Sequence, residues 1–136
     1  MPRRNAAQRG FSRGKRFFEN LVREAIEAIP EEMKNRLENV AILIEEDRLS
    51  NSGEGEEEEN GQELLGLYEG IPKKDRGFWY GNTLPDRIVI YRKPLERMSS
   101  TLSELRENIR QTVIHEIGHY FGFDEEELQQ LEDGDI

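Results

Sequence analysis

The segment from Thr101 to Gly122 constrains the fold most, because its apolar residues repeat at helical spacing. Thr101 with Glu104 matches the S/T-x-x-E capping box of a helix start, and Ser103 is a second candidate for that position. Gly122 suits a left-handed cap at the helix end. The pattern predicts one long helix that packs on a core through a stripe about 80° wide, formed by Leu102, Leu105, Ile109, Val113 and Tyr120.

A carboxylate interrupts this apolar stripe. Glu116 projects into its middle, where a purely structural helix would carry Leu or Ala. Burying an unpaired carboxylate costs several kcal/mol. A metal ion, its water or a nearby cation would compensate for that cost. The position of Glu116 therefore indicates a function rather than packing alone.

The residues around Glu116 have the spacing of a metal site. His115 and His119 lie four residues apart, and therefore about 40° apart on one helix face, close enough to share an ion. Imidazole nitrogen is a good zinc ligand, and a catalytic zinc site has three protein ligands and one open position. Glu116 is placed to act as the general base that deprotonates the attacking water. The chain has two histidines and no cysteine, so histidine and carboxylate must supply any transition-metal ligands.

A third metal ligand is expected just beyond the helix. Gly122 can turn the chain back, and Glu125 follows three residues later to give HExxHxxGxxE. Asp124 is the nearest rival for this role, and Glu126 is a weaker one. The alternative is that these carboxylates only stabilise the N-terminus of a final short helix through its dipole. We predict Glu125 as the third ligand.

The remaining segments predict a single α+β domain over residues 17–136, with a short mixed sheet and helices packed on it. Residues 1–16 are predicted to be a basic, disordered tail, and residues 50–61 a mobile acidic loop. The other elements expected in the domain are a helix over 17–29, strands over 40–44, 64–68 and 87–91, and a short helix over 124–133.

The charge distribution separates the tail from the domain. The net charge is −10, but residues 1–18 hold six basic groups and no acidic one, which leaves −16 on the rest. The acidic remainder of the chain repels nucleic acid, and only the basic tail can attract it. There is no apolar run long enough to span a bilayer and no apolar centre typical of a secretory signal. The absence of cysteine suits a reducing cytoplasm, and we expect a cytoplasmic protein without a membrane partner.

Three stretches carry a resemblance to a known family: LLGLYEGIP at 64–72, LPDRIVIYRKPLE at 84–96 and QTVIHEIGHYFG at 111–122. From about Phe18 to Leu131 the chain resembles the small bacterial zincin-like metallopeptidases, sometimes called minimal zincins. The resemblance implies a compact zincin core in which the HExxH helix packs on a short sheet. It also implies bound Zn²⁺ and a peptide or protein substrate.

The same resemblance assigns roles to individual residues. His115 and His119 correspond to the family's metal ligands, and Glu116 to its catalytic base. The family usually has Asp in the position that Glu125 occupies here. The methionine turn of longer metzincins has no counterpart, since the chain has no Met after position 98.

The function expected from these features is zinc-dependent hydrolysis of peptide bonds. An extended peptide could add to an exposed strand edge, and the 87–91 strand is the predicted one. Tyr80, Tyr91 and Tyr120 are candidate oxyanion stabilisers, although packing is the more ordinary role of each.

Two alternatives stay open at this point. One is a metal-dependent endoribonuclease, because the spacing of the two histidines and Glu125 resembles the HxxxHxxxxxH site of rRNA-maturation endoribonucleases and the basic tail favours RNA. The other is a catalytically silent zincin-fold interaction module. The sequence leaves the oligomeric state open.

Overall fold

The computed structural model describes residues 10–48, 63–70 and 86–133. The acidic loop and residues 1–9 of the predicted tail lie outside these ranges. Within them the elements follow in the order α1 (Lys15–Glu27), α2 (Glu31–Lys34), β1 (Val40–Glu45), β2 (Gly66–Glu69), β3 (Asp86–Tyr91), α3 (Arg92–Met98), α4 (Leu102–Phe121) and α5 (Glu125–Glu132).

The three strands form one mixed sheet in the order β1-β3-β2. β3 pairs in parallel with β1 and antiparallel with β2, so both of its edges are occupied. The prediction that the 87–91 strand offers an exposed edge is therefore wrong. The physical reason lies in its side chains, because Ile88 and Ile90 on one face and Val89 and Tyr91 on the other are all buried. Burial on both faces is typical of a central strand.

The core lies between one face of the sheet and the helices α1 and α4. The alternation along β3 directs Ile88 and Ile90 to this side. The predicted α+β architecture, with a short mixed sheet and helices packed on it, is confirmed. The two helices contribute Phe18, Leu21, Val22 and Ala25 from α1, and Leu105, Ile109, Val113 and Ile117 from α4.

The chain before α1 packs against the end of α3. The backbone N–H of Phe11 donates to the carbonyl oxygens of Glu96 and Ser99, at 3.0 and 2.8 Å. The Arg13 guanidinium lies 5.4 Å from the ring centres of both Phe11 and Phe17. Helix α1 begins at Lys15, two residues before the predicted start.

Helix α3 is an element that the sequence did not reveal. Pro94 follows the predicted 87–91 strand, and it occupies the first turn of α3, where a helix needs no backbone N–H. The hydroxyl of the buried Ser99 donates to Leu95 O at 2.8 Å and accepts from Asn108 Nδ2 at 3.0 Å. These bonds join α3 to α4 and fix the entry of the long helix.

A charged cluster fastens α3 to the end of β1. Arg92 donates two hydrogen bonds to Glu46, at 2.6 and 3.0 Å, and contacts Glu96 at 3.2 Å. Glu96 is only 7% exposed, so its charge needs this partner. The hydrogen bond from Arg92 lowers the pKa of Glu46 below its usual 4.5.

We expect Arg92→Met to lower the free energy of unfolding by about 3 kcal/mol at pH 7, because it leaves the Glu96 charge buried without its cation. Urea unfolding measures the loss. Because the folded-state pKa of Glu46 is depressed, its contribution is complete above the unfolded pKa and disappears as the pH falls through the folded value. The difference between variant and wild type should therefore shrink in acid. The control is Arg106→Met, which breaks an exposed pair with Glu24 and should cost below about 1 kcal/mol.

Candidate metal centre

Helix α4 carries the candidate site and has defined ends. The Thr101 hydroxyl oxygen accepts from the Glu104 backbone N–H at 3.1 Å, as the capping pattern predicts. At the other end Gly122 has φ 82°, a left-handed cap, and its N–H donates to His119 O at 3.0 Å. Both predicted caps are confirmed. The second histidine thus lies in the last turn of a helix that is anchored at both ends.

The predicted apolar stripe faces the core. Leu105, Ile109, Val113 and Tyr120 are at most 1% exposed. Glu116 lies in the same stripe and is 8% exposed. The long helix therefore holds a carboxylate inside its packed face, next to both histidines.

His115, Glu116 and His119 come together as one group. Each offers a ligand atom, and these atoms lie within 4.8 Å of one another. The two imidazole rings are 4.7 Å apart between centroids and inclined at 75°. Both histidines are partly buried, so the donors lie at the protein surface with limited access to water. Two imidazoles beside a carboxylate are a donor set that suits Zn²⁺.

Strand β2 passes directly over this part of α4. A Cβ built on Gly66 would lie 2.8 Å from Thr112 Cγ2, 3.2 Å from Glu116 Cγ and 3.2 Å from Val89 O. A glycine inside a strand often marks a close approach of another group, and that was the available signal in the predicted 64–68 strand. Sequence reasoning nevertheless missed Gly66 and Thr112. Together they set how closely the strand approaches Glu116.

Comparison with known proteins identifies the family. A sequence profile of zincin-like metallopeptidases matches residues 37–135, more than half of the chain. The chain belongs to the zincin-like metallopeptidase family. The match includes all three strands and the HExxH helix, whereas α1 precedes it. A search of curated proteins finds no match.

No helix in the described ranges combines the length and apolar character needed to cross a bilayer.

The acidic run after Gly122 begins with a helix cap. Asp124 Oδ1 accepts from the Glu127 N–H at 2.8 Å, and Glu127 Oε1 accepts from the Asp124 N–H at 2.9 Å. This is a reciprocal capping box at the start of α5. Glu125 is exposed in the first turn of α5 and is not in the three-residue group of the site. Its assignment as third ligand stays a prediction, while Asp124 has a structural task that accounts for it.

A pair of substitutions separates these roles. Asp124→Ala should lower the free energy of unfolding by about 1 kcal/mol through loss of the helix cap, with zinc affinity nearly unchanged. Glu125→Ala should leave the metal-free stability close to wild type and weaken zinc binding about a hundredfold or more. Competition with a chelating dye measures the affinity. Equal zinc affinity in wild type and Glu125→Ala would exclude Glu125 as a ligand.

The candidate oxyanion tyrosines have packing positions. Tyr120 is fully buried, and its hydroxyl both donates to Glu38 O and accepts from Glu38 N–H, each at 3.2 Å. Its ring also meets Tyr68 edge to face. Tyr91 lies on the sheet face away from α4, where burial raises the pKa of its hydroxyl. Tyr80 lies outside the described residues.

Proposed function

We propose that this protein is a zinc-dependent metallopeptidase in which Glu116 is the general base. The observation that carries the proposal is the buried Glu116 between His115 and His119, with the β2 backbone directly beside it. A glutamate that follows the first of two histidines one helical turn apart is the arrangement of a zinc ligand pair with its general base. Membership of a metallopeptidase family favours peptide bonds over RNA as the substrate.

The metal would be held by His115, His119 and, as predicted, Glu125. When bound, Zn²⁺ supplies Lewis acidity that polarises the scissile carbonyl and makes water a better nucleophile. Helix α4 fixes the two histidines one turn apart, and its caps limit their movement. The site chemistry of two imidazoles and a carboxylate supports zinc over magnesium or calcium, which prefer oxygen ligands.

Glu116 would move the proton in this reaction. One of its carboxylate oxygens accepts the proton of the attacking water, and the same group returns a proton to the leaving amine nitrogen. Burial keeps bulk water away from the carboxylate and holds its rotamer among packed neighbours. Thr112 lies one helical turn before Glu116. Its hydroxyl donates a 2.8 Å hydrogen bond to Asn108 O, and its methyl group is directed towards β2.

The substrate would bind along the outer edge of β2. Tyr91 N–H donates to Leu65 O, so in this antiparallel ladder Leu65 and Leu67 direct their backbone groups to β3. The N–H and C=O groups of Gly66 therefore point away from β3. An extended peptide can pair with them and pass close to Glu116. This edge takes the place of the 87–91 edge expected from the sequence.

The test begins with protein purified without a chelator or a histidine tag. We expect about one zinc per chain by metal analysis, and zinc-dependent cleavage of an unfolded protein or a peptide library. Cleavage should disappear on chelation and return on zinc addition. Bound zinc without any cleavage would favour the silent interaction module, and cleavage of RNA instead of peptides would favour the endoribonuclease.

A further inference from the structure

A groove on the side of the sheet opposite β2 has no part in the proposed catalytic site. It encloses about 490 Å³ between α1 and β1. We call it the α1–β1 groove. Its base is apolar and its rim is charged. Leu43 beside it is 39% exposed, one of two large apolar side chains so exposed in the described ranges. The apolar lining is Val22, Ile26, Ile42, Leu43 and Ile44, and the charged lining comes from α1.

The β1 strand borders this groove with its outer edge. Asp86 N–H donates to Asn39 O, and the parallel register pairs Val40 with Asp86. The backbone groups of Ala41 and Leu43 therefore point to β3, and those of Val40, Ile42 and Ile44 point outward. Within the described ranges β1 pairs with β3 alone. An apolar strand edge of this kind is a ready template for another strand.

The charged residues of α1 at the rim of the groove form a self-complementary pattern. Lys15, Glu19, Arg23 and Glu27 alternate in sign at four-residue spacing. Neighbours at this spacing can pair within one helix, but none of the four makes an ion pair among the described residues. Followed from the C-terminal to the N-terminal end of the helix, the same four charges have the opposite order of signs. Two such helices are therefore complementary when they lie antiparallel.

We propose that the α1–β1 groove is the interface of a two-fold symmetric dimer of this chain. An antiparallel arrangement about the middle of α1 places Lys15 against Glu27 of the partner subunit and Glu19 against Arg23 of the partner subunit. The same axis sets β1 antiparallel to its copy, so the described strands of the two copies join into one sheet. Leu43, on the sheet face away from α1, then lies beside β1 of the partner subunit.

The dimer leaves the metal centre accessible. Among the described strands, β1 and β2 are the outer two, on either side of β3. Joining two copies through β1 leaves the outer edge of β2 and the face of α4 with its histidines open to substrate. The proposed dimer therefore does not depend on whether the protein is a peptidase.

Sedimentation velocity of the full chain over a concentration series tests the interface. Wild type should dimerise, and added salt should weaken the dimer because its rim contacts are charged. Arg23→Glu turns two symmetry-related attractions into repulsions and should raise the dissociation constant at least about tenfold. The double variant Glu19→Arg with Arg23→Glu restores opposite charges across the axis and should recover the dimer. Circular dichroism confirms folding of each variant.

A second substitution tests the strand edge. Leu43→Lys places a charge on the exposed face of β1 without altering its pairing with β3, and should shift the chain to monomer. A wild type that stays monomeric up to about 100 µM overturns the proposal. So does a dimer that Arg23→Glu and Leu43→Lys leave unchanged. Binding of a foreign extended peptide by a monomeric wild type would assign the groove to another partner and also overturn the dimer.

Discussion

Glu116→Gln is expected to abolish peptide hydrolysis while zinc stays bound. The amide has the shape of the carboxylate but cannot accept the proton of the attacking water, a loss of about 10²–10⁴-fold for a general base. His115 and His119 are unchanged, so zinc affinity should remain close to wild type. The measurements are kcat/KM on a cleaved peptide and the zinc content of the same sample.

The controls separate the base from a ligand and from the fold. Glu107→Gln changes an exposed carboxylate on the same helix and should retain full activity. His119→Ala should lose zinc and hydrolysis together. Glu116→Gln that loses zinc as well would make this residue a ligand, and hydrolysis within tenfold of wild type would remove it as the base.

The part of the site that sequence analysis predicted is the part encoded within one helix. Glu116 falls on the stripe because of 3.6-residue periodicity, and Thr101 and Gly122 end the helix through local backbone chemistry. The spacing of His115 and His119 then follows from the same helix. None of these features needs knowledge of the rest of the chain, and the structure brings the three HExxH residues together as predicted.

Features that depend on distant segments were not predictable in this way. An apolar run such as Ile88–Tyr91 fits an edge or a central strand, and the β1-β3-β2 order is decided by long-range pairing. Helix α3 was hidden because Pro94 ends a strand as readily as it begins a helix. The close approach of Gly66 to Glu116 joins residues fifty positions apart. That contact exists only once the sheet has been placed on α4.

The contact at Gly66 leads to the second large effect, an expected loss of activity in Gly66→Ala. The new methyl group would lie 2.8 Å from Thr112 Cγ2 and 3.2 Å from Glu116 Cγ, so the strand or these side chains must shift. A misplacement of about 1 Å at a catalytic group costs roughly 10²-fold in rate. Zinc should stay bound, because the three atoms nearest to the new methyl group belong to Thr112, Glu116 and Val89 and not to either histidine. Steady-state kinetics with zinc analysis distinguishes this outcome from loss of the metal.

The source of the clash provides a rescue experiment. Thr112→Ser removes the Cγ2 methyl but keeps the hydroxyl that donates to Asn108 O. Alone it should leave activity near wild type. Combined with Gly66→Ala it removes the closer of the two side-chain contacts and should recover a large part of kcat. A merely destabilising alanine would lower the free energy of unfolding without this recovery, and full activity in Gly66→Ala would show that the position of β2 does not govern Glu116.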